Sequence, residues 1–237
     1  MLAVVPAAGE GSRLQPLTAE RPKAMIEIAE RPLLEHVFKT AIDAGITEIV
    51  VVVGERGDMI REEFGRSFDS VPLHYVRQPE PRGLGDAILW ASDYIDSSFA
   101  VFNGDNVFTE SPHEALIRID DPSTDAVLVV ESTDIESAKL TGSVSVVDGE
   151  ATRIIEKSDN PTSTYVTTGC YVLPPAILHA LRLARPSESG EIELTEAVDL
   201  LITAGYRIEI CEFTGDRVNV NTRDDLREAE SLLTETR

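Results

Sequence analysis

Apolar and polar positions fall into blocks whose period switches along the chain. Leu2 to Ala7 is a short continuous apolar run ending at Gly9, the pattern of a buried strand. Pro32 then opens a segment in which Leu33, Leu34, Val37, Phe38 and Ala41 recur at helical spacing, with Gly45 as the stop. Ile49 to Val53 is an unbroken β-branched run ended by Gly54, which predicts a strand covered on both faces, as in a parallel sheet. A helix over about 56–65, a strand over about 72–76, a helix over about 84–95 and a strand from Phe99 to Phe102 continue the alternation. Strand and helix in turn predict an α/β, doubly wound first half.

After about residue 124 the rhythm changes. Ala126–Val130, Ser143–Val147, Thr152–Ile155 and Tyr165–Val172 all read as strands, and Asp148-Gly149 between two of them signals a hairpin. Helical patterns return at Pro175–Leu183 and Leu194–Ala204, followed by a strand at Arg207–Ile210 and an amphipathic helix from about Thr222. No Pro/Gly/Ser-rich linker, charge block or internal repeat divides the sequence. One mixed α/β domain over 1–237 is expected, with halves of about 1–123 and 124–237, the second rich in strands.

Charge changes the picture. The 237 residues carry 42 Asp and Glu against 21 Lys and Arg, a formal charge of −21, while 42% of positions are hydrophobic. That is apolar enough for a packed core and too acidic to lie along a polyanion, so a nucleic-acid partner is disfavoured. Only Lys23, Lys39, Lys139 and Lys157 among the basic residues are lysine, and aromatics are 5%. This resembles the composition of proteins from salt-loving organisms, where a Debye length of about 3 Å at 1 M salt screens self-repulsion. No run approaches the ~20 apolar residues of a membrane span and the N-terminus has no signal pattern, so a cytoplasmic protein is expected. Cys170 and Cys211 lack CxxC spacing and read as buried thiols; His36, His74, His113 and His179 have no ligand spacing, which argues against zinc.

The chemistry concentrates in residues 6–23. A buried strand delivers the chain to a loop whose small residues, Ala7, Ala8, Gly9 and Gly11, let backbone N–H groups approach a ligand closely, as phosphate oxygens require. Arg13 and Lys23 add two fixed cations. A P-loop is absent, and Leu14 stands where a dinucleotide fingerprint needs its third glycine. Gln78, after the third strand, carries an amide that can both donate to and accept from a pyrimidine edge. Asp105 follows a strand at the sheet edge where open α/β folds bind ligands.

The string Gly9-Glu10-Gly11-Ser12-Arg13-Leu14-Gln15-Pro16-Leu17-Thr18, followed by Pro22-Lys23, resembles the N-terminal signature of the sugar-1-phosphate nucleotidylyltransferases. Five further segments resemble that family: Gln78 to Ala87, Gly104-Asp105, Gly142 before a strand, Glu156-Lys157, and Thr168-Gly169-Cys170-Tyr171. Glu191 to Glu196 matches its E-x-E-[IL]-T-[DE] helix start, and Arg217 to Thr222 its last segment. Thr141 replaces the usual aromatic, the Pro expected after Lys157 is missing, and Arg217 replaces the expected Trp. The resemblance spans about residues 3–235.

It implies a Rossmann-like nucleotidyltransferase fold, a mixed and mostly parallel sheet flanked by helices, with a sugar-binding second half. It also implies transfer from UTP or dTTP to a hexose 1-phosphate, glucose 1-phosphate first, with release of pyrophosphate and with Mg2+. The catalytic residues so implied are Arg13 and Lys23; the nucleotide-binding set is Ala7, Ala8, Gly9, Gly11, Ser12, Gln78, Gly83 and Leu84. Gly142, Glu156, Lys157 and Thr168 are the implied sugar-phosphate set, and Asp105 with Asn219 or Asn221 the implied metal ligands. Neither asparagine carries a charge, so the second ligand is neutral. A homo-oligomer is compatible with the family. Two alternatives stay open: the same fold acting on phosphocholine with CTP or mannose 1-phosphate with GTP, and a non-catalytic nucleotide-sugar sensor.

Overall fold

The computed structural model describes residues 1–235. From the N-terminus the chain forms β1 (Leu2–Ala7), a small hairpin of β2 (Glu27–Ile28) and β3 (Arg31–Pro32), α1 (Leu33–Asp43), β4 (Glu48–Val53) and α2 (Gly57–Phe64). β5 (Ser67–Phe68), β6 (Val71–Arg77), α3 (Leu84–Trp90), β7 (Phe99–Phe102), β8 (Asn106–Phe108) and α4 (His113–Arg118) follow. β9 (Ala126–Ser132), α5 (Ile135–Ala138), β10 (Gly142–Val147), β11 (Glu150–Glu156) and β12 (Tyr165–Leu173) come next. The chain closes with α6 (Ile177–Leu183), α7 (Leu194–Thr203), β13 (Ile208–Glu212), β14 (Arg217–Asn219) and α8 (Arg223–Glu235). Its contacts group into two units, each assembled from separate stretches of sequence.

The first unit comprises residues 1–81, 102–111 and 215–237, of which 215–235 are described. β1 and β4 pair in parallel over their whole length, Leu2 with Glu48 through Ala7 with Val53, and β4 pairs in parallel with β6. The crossovers are α1 and α2, as the alternation of strand and helix requires. Ile49 to Val53 are buried, which explains a run with no polar face. α1 turns Leu33, Leu34, Val37, Phe38 and Ala41 inward. Phe38 meets Phe64 and Phe68 with ring centroids 5.1 and 5.7 Å apart. A second apolar cluster of Ile28, Leu33, Val107, Val218, Val220 and Ala229 ties β8, β14 and α8 to the hairpin and α1. β8 and β14 pair antiparallel, Asn106 opposite Asn219. Strands this short have no periodicity to read.

The second unit comprises residues 82–101 and 112–214. Its strands run in the order β10, β11, β13, β9, β12, with antiparallel pairing everywhere except between β13 and β9. The Asp148-Gly149 hairpin forms as its sequence predicts, both residues at positive φ (51° and 84°) with Val147 opposite Glu150. α3 is shorter than the expected 84–95: it stops at Trp90, and Ser92–Tyr94 makes a separate 3-10 turn, where Ser92 and Asp93 are weaker helix formers than the residues before them. No helix among the described residues is long and apolar enough to cross a membrane.

Candidate active site

In the first unit the loop after β1 is built to present backbone. A Cβ added at Gly9 would meet nothing within 4 Å, so this stretch faces open space. Gly11 is different: its φ is +63°, and a Cβ there would come within 2.9 Å of both Lys23 Cβ and Thr18 Cγ2. Only glycine fits that backbone and that gap. Leu14, fully buried, anchors the 3-10 turn Ser12–Leu14, leaving Ser12 and Arg13 exposed. The Thr18 hydroxyl donates to the Gly11 carbonyl at 2.8 Å and closes the loop on itself.

Lys23 sits at the centre. Its Nζ donates to Asp105 Oδ2 and to Asn221 Oδ1, both at 2.9 Å, and its side chain is 9% exposed against 30% for Asp105. Arg13 Nη2 donates to the same Asn221 oxygen at 3.3 Å. Asn221 Nδ2 in turn donates to Asn219 Oδ1 at 2.8 Å. Thus five of the residues read from the sequence (Arg13, Lys23, Asp105, Asn219 and Asn221) form one hydrogen-bonded cluster. Its members come from three separated stretches, and local structure holds each in place. Gly104 N–H donates to the Pro6 carbonyl at 3.1 Å, strapping the Asp105 turn to β1. Val220 N–H donates to the Asp105 carbonyl at 2.8 Å. At the start of α8, Asp225 accepts from the N–H groups of Asn221 and Thr222 at 2.7 Å while its own N–H donates to Thr222 Oγ1, a capping box that sets Asn221.

Beside this cluster lies a cavity of about 290 Å3 lined by Ala7, Ala8, Gly9, Ser12 and Gln78 from the expected nucleotide set. Gln78 is buried, and its N–H donates to the Val53 carbonyl at 2.9 Å, fixing it at the end of the parallel ladder. Further lining was not foreseen from sequence: Gly54, Glu55 and Arg56, between β4 and α2, and Gly57, which opens α2, line the same cavity. The signal was available, because a glycine-bracketed turn at the carboxyl end of a parallel strand is where α/β sheets bind ligands. Gly11, Gly83 and Leu84 do not line it. Gly11 lies beneath the loop, against Lys23. Gly83 and Leu84 belong to the second unit, where Gly85 N–H donates to the Ile192 carbonyl and Ile192 N–H to the Arg82 carbonyl, both at 2.8 Å. Gly83 has φ +95°, and a Cβ there would approach the Ile192 oxygen to 2.8 Å.

In the second unit Gly142 pairs with Glu156 across β10 and β11. Glu156 Oε2 accepts from the Thr195 hydroxyl at 3.2 Å, and Lys157 Nζ lies 3.6 Å from Glu156 Oε1. Lys157 adopts φ 43°, held by its N–H to the Thr141 carbonyl at 3.1 Å, and its side chain is 61% exposed. Thr168 is buried with its hydroxyl donating to the Val129 carbonyl at 3.0 Å, so that proton is committed to the backbone. Glu193 is held above the ordinary carboxylate range, first by desolvation and then by Glu156 and Glu191, with Lys157 opposing. Three carboxylates and one ammonium therefore share this patch: acceptors suited to hydroxyl groups, and a cation suited to a phosphate.

A family model for nucleotidyl transferases matches residues 2–236. The chain belongs to the nucleotidyl transferase family. This nucleotidyl transferase is 40% identical over 236 residues to the UTP–glucose-1-phosphate uridylyltransferase AglF of Haloferax volcanii, covering 99% of the chain and 97% of that relative. A glucose-1-phosphate thymidylyltransferase of Streptomyces griseus is 29% identical over 239 residues, covering 100% of the chain and 67% of that relative. Among solved structures, a UDP-glucose pyrophosphorylase complexed with UDP-glucose superimposes with a TM-score of 0.89 at 26% identity, covering 100% of this nucleotidyl transferase and 99% of that chain. The α/β architecture expected from the sequence is that of these relatives.

Proposed function

We propose that this nucleotidyl transferase joins a pyrimidine nucleoside triphosphate, UTP or dTTP, to glucose 1-phosphate, giving the nucleotide sugar and pyrophosphate. The observation that carries this reading is Lys23, whose ammonium joins Asp105 and Asn221 beneath a glycine loop beside the cavity of Gln78. The uridylyl- and thymidylyltransferase relatives support the choice of bases and sugar.

The first unit takes the triphosphate and the second the sugar phosphate. N–H groups of the loop from Ala8 to Ser12 meet phosphate oxygens, Gln78 reads the base edge, and Arg13 and Lys23 neutralise the charge that gathers on the leaving pyrophosphate. Glu156 accepts from sugar hydroxyls, Lys157 holds the sugar phosphate, Gly142 keeps the approach open, and Thr168 braces the strand behind them. The phosphate oxygen of the sugar attacks the α-phosphorus in line, the bond to the β-phosphate oxygen breaks, and no protein nucleophile takes part. Catalysis is positioning and charge stabilisation.

The donors suit Mg2+. Asp105 offers a carboxylate, Asn221 and Asn219 offer amide oxygens, and Mg2+ favours one or two carboxylates completed by substrate oxygens. Asn221 is the second ligand we favour, because its oxygen and Asp105 Oδ2 already share one cation, the Lys23 ammonium, whereas Asn219 Oδ1 accepts from Asn221 Nδ2. When bound, Mg2+ would shield the triphosphate and stabilise the leaving group. The acidity of the chain belongs to a surface suited to high salt, and the cytoplasm, where these substrates occur, is the proposed compartment.

The test is pyrophosphate release across UTP, dTTP, CTP and GTP, each with glucose, galactose, N-acetylglucosamine and mannose 1-phosphate and with phosphocholine, at low and molar KCl. Release with UTP or dTTP and glucose 1-phosphate is expected. Preference for GTP with mannose 1-phosphate, or for CTP with phosphocholine, would replace this reading. Nucleotide-sugar binding without release from any pair would indicate a sensor.

A further inference from the structure

The loop that carries Arg13 and Lys23 is long, and its internal bonds are few turns, yet it must hold still for its N–H groups to act. Part of what steadies it comes from outside. Arg56, the residue at the start of α2, sends Nη1 to the Thr18 carbonyl at 3.1 Å. Thr18 is buried, its hydroxyl bonds the Gly11 carbonyl at 2.8 Å, and Gly11 lies directly against the Lys23 stem. A continuous path of contacts therefore runs from the Arg56 guanidinium through Thr18 and Gly11 to Lys23. Arg56 also lines the cavity that Gln78 and the loop border.

We propose that Arg56 is a positioning residue for nucleotide binding: it fixes the loop of residues 9–23 before the triphosphate arrives. The inference deepens the function proposed above and rests on it. The side chain is suited to the task, since a planar guanidinium can bond a carbonyl while its remaining donors and its charge face the cavity edge. Arg56 is exposed and caps nothing with its side chain, so removing it leaves the core intact. What changes is the free protein, whose loop becomes more mobile and must be ordered at the expense of nucleotide affinity.

The experiment compares wild type with Arg56→Ala and Arg56→Lys. Amide hydrogen exchange across residues 11–19 is followed without substrate, and UTP and dTTP affinities are measured by calorimetry. In Arg56→Ala, exchange in that segment accelerates, UTP binds about tenfold more weakly, and guanidinium ion at tens of millimolar recovers part of the loss, as for one charge-assisted hydrogen bond. Arg56→Lys falls between, keeping charge without the fork. Unchanged exchange in Arg56→Ala overturns the proposal, whatever happens to affinity, because the loop is then held without Arg56. Faster exchange with unaltered UTP affinity overturns it too, leaving only a structural contact. Should the wild type bind neither UTP nor dTTP, the proposed function fails instead, which the wild-type calorimetry reveals independently of the exchange data.

Discussion

Lys23→Met removes the ammonium while keeping a stem of similar length. In the folded protein Lys23 is 9% exposed and bonds Asp105 and Asn221 at 2.9 Å each. Breaking a fully buried pair costs about 3–5 kcal/mol and a surface pair about 0–1. Asp105 is 30% exposed and can recover water on losing its partner, so the cost falls between, at about 1–2 kcal/mol. For a chain of this size that lowers Tm by roughly 2–8 °C. The rate suffers more. A preorganised charge donor at a transition state is worth about 10²–10³ in turnover, or some 3–4 kcal/mol. The variant should remain folded at 25 °C yet release pyrophosphate at least about a hundredfold more slowly. A coupled pyrophosphate assay, with a thermal melt on the same preparation in the same salt, reads both quantities. Turnover within about threefold of wild type would refute the role given to Lys23, because no positioned charge can be lost so cheaply.

Other residues give further tests. Gly104→Ala would drive a Cβ into the Pro6 carbonyl oxygen, which is backbone and cannot step aside; a loss of about 2–4 kcal/mol in urea unfolding is expected. Gly142→Ala places a Cβ 2.9 Å from Thr195 Cγ2 and 3.2 Å from Glu156 Oε2, so KM for the sugar phosphate should rise about tenfold while KM for the nucleotide holds. Glu193 is raised above the usual range, first by burial, so its charged form is disfavoured in the fold. That penalty is absent below the unfolded pKa and complete above the folded one; Glu193→Gln should therefore stabilise the protein at pH 7–8 and not near pH 4, checked by Tm against pH. Burial pushes the Cys170 and Cys211 thiols up, so at pH 8 neither should react with a thiol reagent until the protein is unfolded.

Much of the fold was legible because its signals are physical. Ile49 to Val53 has no polar face, and it lies where none is needed, within a parallel ladder. Asp148-Gly149 predicts a turn with two positive φ values, and the turn forms. The cluster of Arg13, Lys23, Asp105 and Asn221 was legible as residue types at family spacings. The hydrogen bonds joining them are not, since they span 208, 82 and 198 residues of sequence. The choice between Asn219 and Asn221 shows the limit. Spacing alone leaves both open, and only the capping box at Thr222 and Asp225 turns Asn221 toward Lys23. Arg56 has no signature in the sequence, because a lone arginine before a helix carries no pattern; its meaning lies in the Thr18 carbonyl it reaches. Gly83 and Leu84 read as nucleotide contacts from their motif alone; the bonds of Arg82 and Gly85 to Ile192, which hold that segment, span more than a hundred residues and have no local signal.

In the proposed reaction the α-phosphorus of a nucleotide held by the loop of Gly9 to Lys23 is the atom attacked. A 31P NMR time course of UTP, glucose 1-phosphate and Mg2+ with the protein in molar KCl tests it most directly. The three UTP resonances should give way to pyrophosphate and a coupled diphosphate pair, and Lys23→Met should show neither over the same period. Conversion of UTP to UDP and inorganic phosphate, which marks attack at the γ-phosphorus, or an unchanged spectrum, would contradict it.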